Sequence, residues 1–193
     1  MLNLRKMLKA IPACVMTVCL LIVTVSVSIA ESSGTETACI RWVFAHDPEK
    51  TVLVMNEDGS GLYFDTKVNW IDDGSVLLLE SDDGQAFELK YEAGEEYITV
   101  YLPSMFSRIS EIGEDGSVIG TWKAGGTSQS SFVFTEDGKF LEDATFTGSY
   151  GFDPQTGTVL LSYIGGFADT MIYVSFCEGN LIVEYPWKLI LAK

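Results

Sequence analysis

Past residue 30 the chain runs in short stretches where apolar and polar side chains alternate, each ended by a glycine-rich turn. Phe132-Val133-Phe134 between Ser and Thr, and Tyr150-Gly151-Phe152, show the period of two that puts one face of a strand in a core and the other in water. On this pattern, and on the enrichment in β-branched and aromatic residues, strands are predicted in the first part of the chain at Ala38 to Ala45, Lys50 to Met55, Gly61 to Asp65, Thr66 to Ile71, Ser75 to Glu80, Gln85 to Tyr91, Glu96 to Leu102 and Phe106 to Ser110. The second part predicts a matching set at Val118 to Lys123, Ser130 to Thr135, Lys139 to Thr145, Thr147 to Phe152, Thr158 to Ile164, Thr170 to Cys177, Asn180 to Tyr185 and Trp187 to Ala192. No window past the leader sustains the i, i+3, i+4 pattern of an amphipathic helix.

The turns explain where much of the acid lies. Glu57-Asp58-Gly59, Asp72-Asp73-Gly74, Asp82-Asp83-Gly84, Glu114-Asp115-Gly116 and Glu136-Asp137-Gly138 each place Asp-Gly between alternating segments. Asp tolerates left-handed backbone and Gly adopts positive φ without a steric penalty, so these are hairpin signals and together they argue a meander. None has the alternate-position ligands, glycine and distant glutamate of a calcium loop.

The two sets of strands are also a repeat. Trp42, Glu57-Asp58-Gly59, Trp70, Val76-Leu77-Leu78 and the Tyr97 to Tyr101 strand recur as Trp122, Glu136-Asp137-Gly138, Tyr150, Val159-Leu160-Leu161 and the Leu181 to Tyr185 strand. The offset of roughly 80 residues is too long for a solenoid unit and fits a duplicated small domain. The expected fold class is therefore all-β: a first unit over 38–112 and a second over 117–193, each an eight-stranded antiparallel meander closed into a barrel, which removes exposed strand edges. Two halves of one larger sandwich would satisfy the same pattern. Barrels of this size are largely filled by side chains, a role suited to the 11 Phe, 8 Tyr and 4 Trp.

The leader bears on compartment. Arg5, Lys6 and Lys9 precede an almost wholly apolar stretch, Ile11 to Ile29, and Ser28-Ile29-Ala30 suits signal peptidase. Residues 1–30 are expected to be a signal peptide, or uncut a membrane anchor helix, followed by a linker at 31–37; either places the rest outside the cytoplasm, in the cell envelope or beyond it. Removing residues 1–30 takes away three basic residues and no acidic one, which moves the formal charge from −15 to −18. So acidic a surface repels nucleic acid and anionic lipid, leaving an uncleaved leader as the only expected membrane contact.

Gly120-Thr121-Trp122 opens the second unit, followed by Phe132 to Phe140 with its Asp-Gly turn, Gly148-Ser149-Tyr150 and the apolar run Val159 to Ile164. This order resembles the small lipocalin-like domains of secreted bacterial proteins and covers nearly all of 117–193. The first unit has Ile40-Arg41-Trp42 in place of the Gly-x-Trp, so its likeness rests on the internal repeat. The resemblance implies a basic side chain packed over the opening tryptophan; Arg108 and Lys188 are the candidates, against the alternative of two unrelated surface cations.

Catalytic groupings are scarce. His46 is the only histidine and sits in His46-Asp47-Pro48, which reads as a turn; there is no Gly-x-Ser-x-Gly, and Glu95-Glu96 would point to opposite faces of a strand. Neither enzymatic activity nor a cofactor is expected. Cys39 and Cys177 lie in different units, where a disulfide would staple the repeats, the alternative being two small apolar cysteines. Two readings of function stay open: a non-enzymatic interaction module presenting acidic loops or aromatics such as Trp70 and Trp187 to an envelope or extracellular protein or glycan, and a binder of small apolar ligands in the barrel cup. Large inward side chains would favour the first, small ones the second.

Overall fold

A computed structural model describes residues 39–110, 116–126 and 130–193. The leader, the linker and most of the connection between the repeats lie outside the described residues, and with them the expected signal or anchor segment. The described chain is all β. Its fourteen strands are β1 (Cys39–Phe44), β2 (Asp47–Asn56), β3 (Ser60–Tyr63), β4 (Thr66–Asp72), β5 (Val76–Ser81), β6 (Ala86–Ala93), β7 (Tyr97–Arg108), β8 (Gly120–Ala124), β9 (Ser131–Phe134), β10 (Lys139–Glu142), β11 (Phe146–Asp153), β12 (Thr158–Tyr163), β13 (Thr170–Cys177) and β14 (Asn180–Leu191).

Each strand pairs antiparallel with its chain neighbour, and β14 returns to β1 so that the sheet closes into one ring. A further ladder crosses the ring. β7 and β14 pair along their whole length, from Asn180 against Ser107 to Ile190 against Tyr97. This ladder is a waist with a separate core on either side. One core gathers Trp42, Phe44, Val52, Leu53, Leu79, Leu89 and Val100; the other gathers Trp122, Phe132, Phe134, Phe140, Leu161, Ile172 and Leu181.

The lobes do not divide at the link between the repeats. The first half of β7 pairs with β6, but its end pairs with β8, placing Arg108 opposite Trp122. The first half of β14 pairs with β13, but its end pairs with β1, placing Leu191 opposite Trp42. Side chains follow the backbone: Phe106 of the first repeat is buried in the second core, and Leu189 of the second repeat in the first. Each repeat thus lends the end of its last strand to the other's lobe, and Leu102 pairs with Tyr185 near the middle of the ladder.

This arrangement corrects the strand count. Each repeat supplies seven strands rather than eight, because Phe106 to Ser110 and Trp187 to Ala192 largely continue β7 and β14 instead of forming new strands. Pro103 and Pro186, which follow the expected strand ends at Leu102 and Tyr185, lie inside the ladder opposite Glu184 and Tyr101. Proline removes a ladder donor and is usually tolerated where pairing is already interrupted. Here both fall one residue past the Leu102–Tyr185 pair, where the strands pass from one lobe to the other.

On the waist, the Lys90 ammonium meets Glu184 at 2.7 Å and lies 4.4 Å from the Tyr173 ring centre, while Tyr101 packs edge-on against Tyr173 and donates to Glu92 at 2.7 Å. Lys90 and Glu92 come from the first repeat, Tyr173 and Glu184 from the second, so these contacts also tie the halves together.

Gly116 has positive φ, and so do Gly59, Gly74, Gly84 and Gly138 in the other four Asp-Gly turns. The aspartates of these four accept hydrogen bonds within the turns: Asp58 from Ser60, Asp73 from Ser75 and Val76, Asp83 from Ser81 and Asp137 from Thr135. These bonds, and at Asp137 above all the bond from the Lys139 ammonium, hold all four carboxyls below the ordinary aspartate range. The turn near His46 is tighter than expected, since Asp47 and Pro48 already belong to β2.

Candidate functional site

Strand alternation decides what β14 presents at the waist. Leu181 and Val183 point into the second core and Leu189 into the first, while Tyr185 and Trp187 occupy the stretch between the lobes. Trp187 retains 37% of its surface exposed although its ring is 5.4 Å from Phe44, 5.3 Å from His46 and 6.1 Å from Tyr185. From Tyr185 a polar chain continues: its hydroxyl is 3.2 Å from that of Tyr163, which donates to Glu142 Oε2 at 2.6 Å.

Beside Trp187 lies a half-open groove of about 560 Å³, within the range of small-ligand sites. Buried Phe106, Phe132 and Val183 line it together with exposed Met105, and Glu142 and Asp143 supply its acid. The acids are placed by the β10–β11 hairpin, in which Asp143 and Ala144 have φ of 50° and 54°. Asp143 Oδ1 accepts the Ser131 N–H at 2.7 Å, which fixes its carboxylate against β9. Burial raises the Glu142 carboxyl above its ordinary value despite the Tyr163 hydrogen bond, and burial also raises the Tyr163 and Tyr185 hydroxyls. The lining described contains no basic side chain.

Two other grooves lie at hairpin ends, about 490 Å³ near Glu136 and Asp137 and about 590 Å³ near Lys67, Asp82 and Asp83. In each, an aspartate is engaged by its own turn, at Asp137 and at Asp83. Among the described residues no three histidine, cysteine, aspartate or glutamate side chains converge as metal ligands would.

The residues singled out from sequence fall elsewhere. Gly120, at φ 138°, opens β8 and leads to Trp122, which is fully buried and donates its indole N–H to the Val118 carbonyl at 2.7 Å. The Arg108 guanidinium lies 4.5 Å from the Trp122 ring centre and donates to the Ser117 carbonyl at 2.9 Å. Trp42, 8% exposed, is a core residue opposite Leu191, so it faces no equivalent cation on that strand. Lys188 lies over Tyr97, at 3.7 Å, not over a tryptophan. Trp70 is half-buried and donates its indole N–H to Ser60, so of the two aromatics expected to be presented only Trp187 is exposed.

Cys39 and Cys177, read either as a staple or as two apolar thiols, are exposed and unbridged in the structure. Cys39 begins β1 at the end paired with Asn56, and Cys177 ends β13 beside the turn to Asn180. The β7–β14 ladder joins the repeats without them. The groove residues Glu142, Asp143 and Tyr185, and Tyr163 that holds Glu142, carried no sequence signal of their own, since β10, β12 and β14 are distant in the chain. No family model, no curated protein and no solved structure matches this chain.

Proposed function

We propose that the protein is an exported, non-enzymatic interaction module built from two lipocalin-like barrels in tandem, which engages an envelope or extracellular partner through its outer surface. The observation that carries this reading is that large side chains fill both lobe interiors. Trp122, Phe134 and Phe140 are 0 to 2% exposed in one, and Leu53, Leu79 and Leu89 are 0 to 1% exposed in the other. Interiors packed in this way leave little space for a ligand of ordinary size, whereas the groove beside Trp187 opens outward. Native mass spectrometry of the protein purified from its own host, before and after denaturation, tests the reading. A mass equal to the mature polypeptide in both states is expected; a small molecule released on unfolding would overturn it in favour of a ligand held inside a barrel.

A further inference from the structure

We infer that the groove beside Trp187 receives a basic side chain of a partner protein, lysine or arginine, with the apolar stem along Met105 and Trp187 and the cationic head against Glu142 and Asp143. The inference rests on the interaction-module reading and gives its partner a chemistry. Charge complementarity carries it: among the described residues the only ionised groups lining the groove are two carboxylates, and the chain as a whole carries a formal charge of −15.

The geometry divides as such a side chain does. Phe106, Phe132, Met105 and Val183 form an apolar surface suited to a methylene stem, which lysine and arginine bury while keeping the head polar. Trp187 adds an exposed indole and Tyr185 a second ring, and indole is the aromatic face that attracts cations most strongly. The acids are held in place, Asp143 by the Ser131 N–H and Glu142 by the Tyr163 hydroxyl, so little ordering remains when a cation arrives. The burial that disfavours the Glu142 charge in the free protein is the condition an incoming cation would relieve.

The test is a titration of the isotope-labelled mature protein with the peptide acetyl-Ala-Lys-Leu-Ala-amide at pH 7.5, followed by amide and indole NMR shifts. Saturable shifts are expected at the Trp187 indole N–H and the Gly125 and Asp143 amides, and the same peptide with norleucine for lysine should bind about tenfold more weakly. E142Q, which keeps an acceptor for Tyr163, should weaken the lysine peptide by a similar factor; W187A gives a second reading if E142Q disturbs the hairpin. D83N, in a turn outside the groove, should leave binding unchanged. Equal binding of the norleucine peptide would overturn the inference, as would shifts spread over the acidic surface and indifferent to E142Q, or saturation by chitotriose in place of the peptide. A ligand released in the native mass measurement defeats the parent reading; a clean mass with no lysine preference defeats this inference alone.

Discussion

Truncating Leu189 to alanine puts the exchange of strand ends to a quantitative test. Leu189 belongs to the second repeat, yet it is fully buried in the core of the first, with Phe44 of β1 on one side and Ile98 of β7 on the other. Closed in by strands on both flanks, the site has little room to collapse, so the substitution should cost about 3 to 4 kcal/mol and lower the melting temperature by about 6 to 16 °C. The location of the damage is more telling than its size. Native-state hydrogen exchange should show the amides of β1, β2 and β3 losing most protection, although they are far from residue 189 in sequence. Leu181→Ala, eight positions earlier on the same strand and also fully buried, should instead loosen β9 to β12. If Leu189→Ala weakened β9 to β12 and left β1 to β3 protected, the end of β14 would belong to its own repeat's core and the exchange would be wrong.

Ala144 occupies the left-handed region at φ 54°, where a Cβ is disfavoured, so Ala144→Gly should raise stability by about 0.5 to 1 kcal/mol in chemical denaturation after the entropic cost of glycine is included. Gly148 has no such freedom: an added Cβ would stand 2.0 Å from the Ser162 carbonyl oxygen, and Gly148→Ala should destabilise by about 2 kcal/mol or more. Glu142 gives a pH signature. Its folded carboxyl is raised above the unfolded value of 4.5, chiefly by burial and secondarily by Asp143, against the lowering effect of the Tyr163 hydroxyl. The folded state therefore holds that proton more tightly, and stability falls as pH rises through the window from 4.5 up to the raised value. Glu142→Gln should accordingly melt higher than the parent at pH 7.5, and thermal scans should show the difference disappearing below pH 4.5.

The strand pattern and the Asp-Gly hairpins were legible because both are local: alternation needs only neighbouring residues, and positive φ at Gly59, Gly74, Gly84 and Gly138 is what Asp-Gly announces. The hairpin at Phe64, with φ of 51°, and the one at Asp143-Ala144 lacked that announcement, having no glycine at those positions. The strands expected to end at Leu102 and Tyr185 run on through Pro103 and Pro186. A missing N–H normally ends a strand, but here the ladder continues across both while the strands change lobes. Whether Cys39 and Cys177 meet depends on where the two lobes place β1 and β13, information no spacing contains. The groove was hidden for the same reason: Met105, Glu142 and Trp187 come together only when β7, β10 and β14 are arranged around the waist.

The most direct measurement of that arrangement is to produce residues 39–110 and 116–193 as separate chains and examine the mixture by analytical ultracentrifugation. Each lobe needs a strand end from the other half, through the pairings of β7 with β8, β14 with β1 and β7 with β14. A stable one-to-one complex is expected, with each half alone either unfolded or self-associated as it seeks the missing strand. Two halves that sediment as independent, folded monomers would contradict the account.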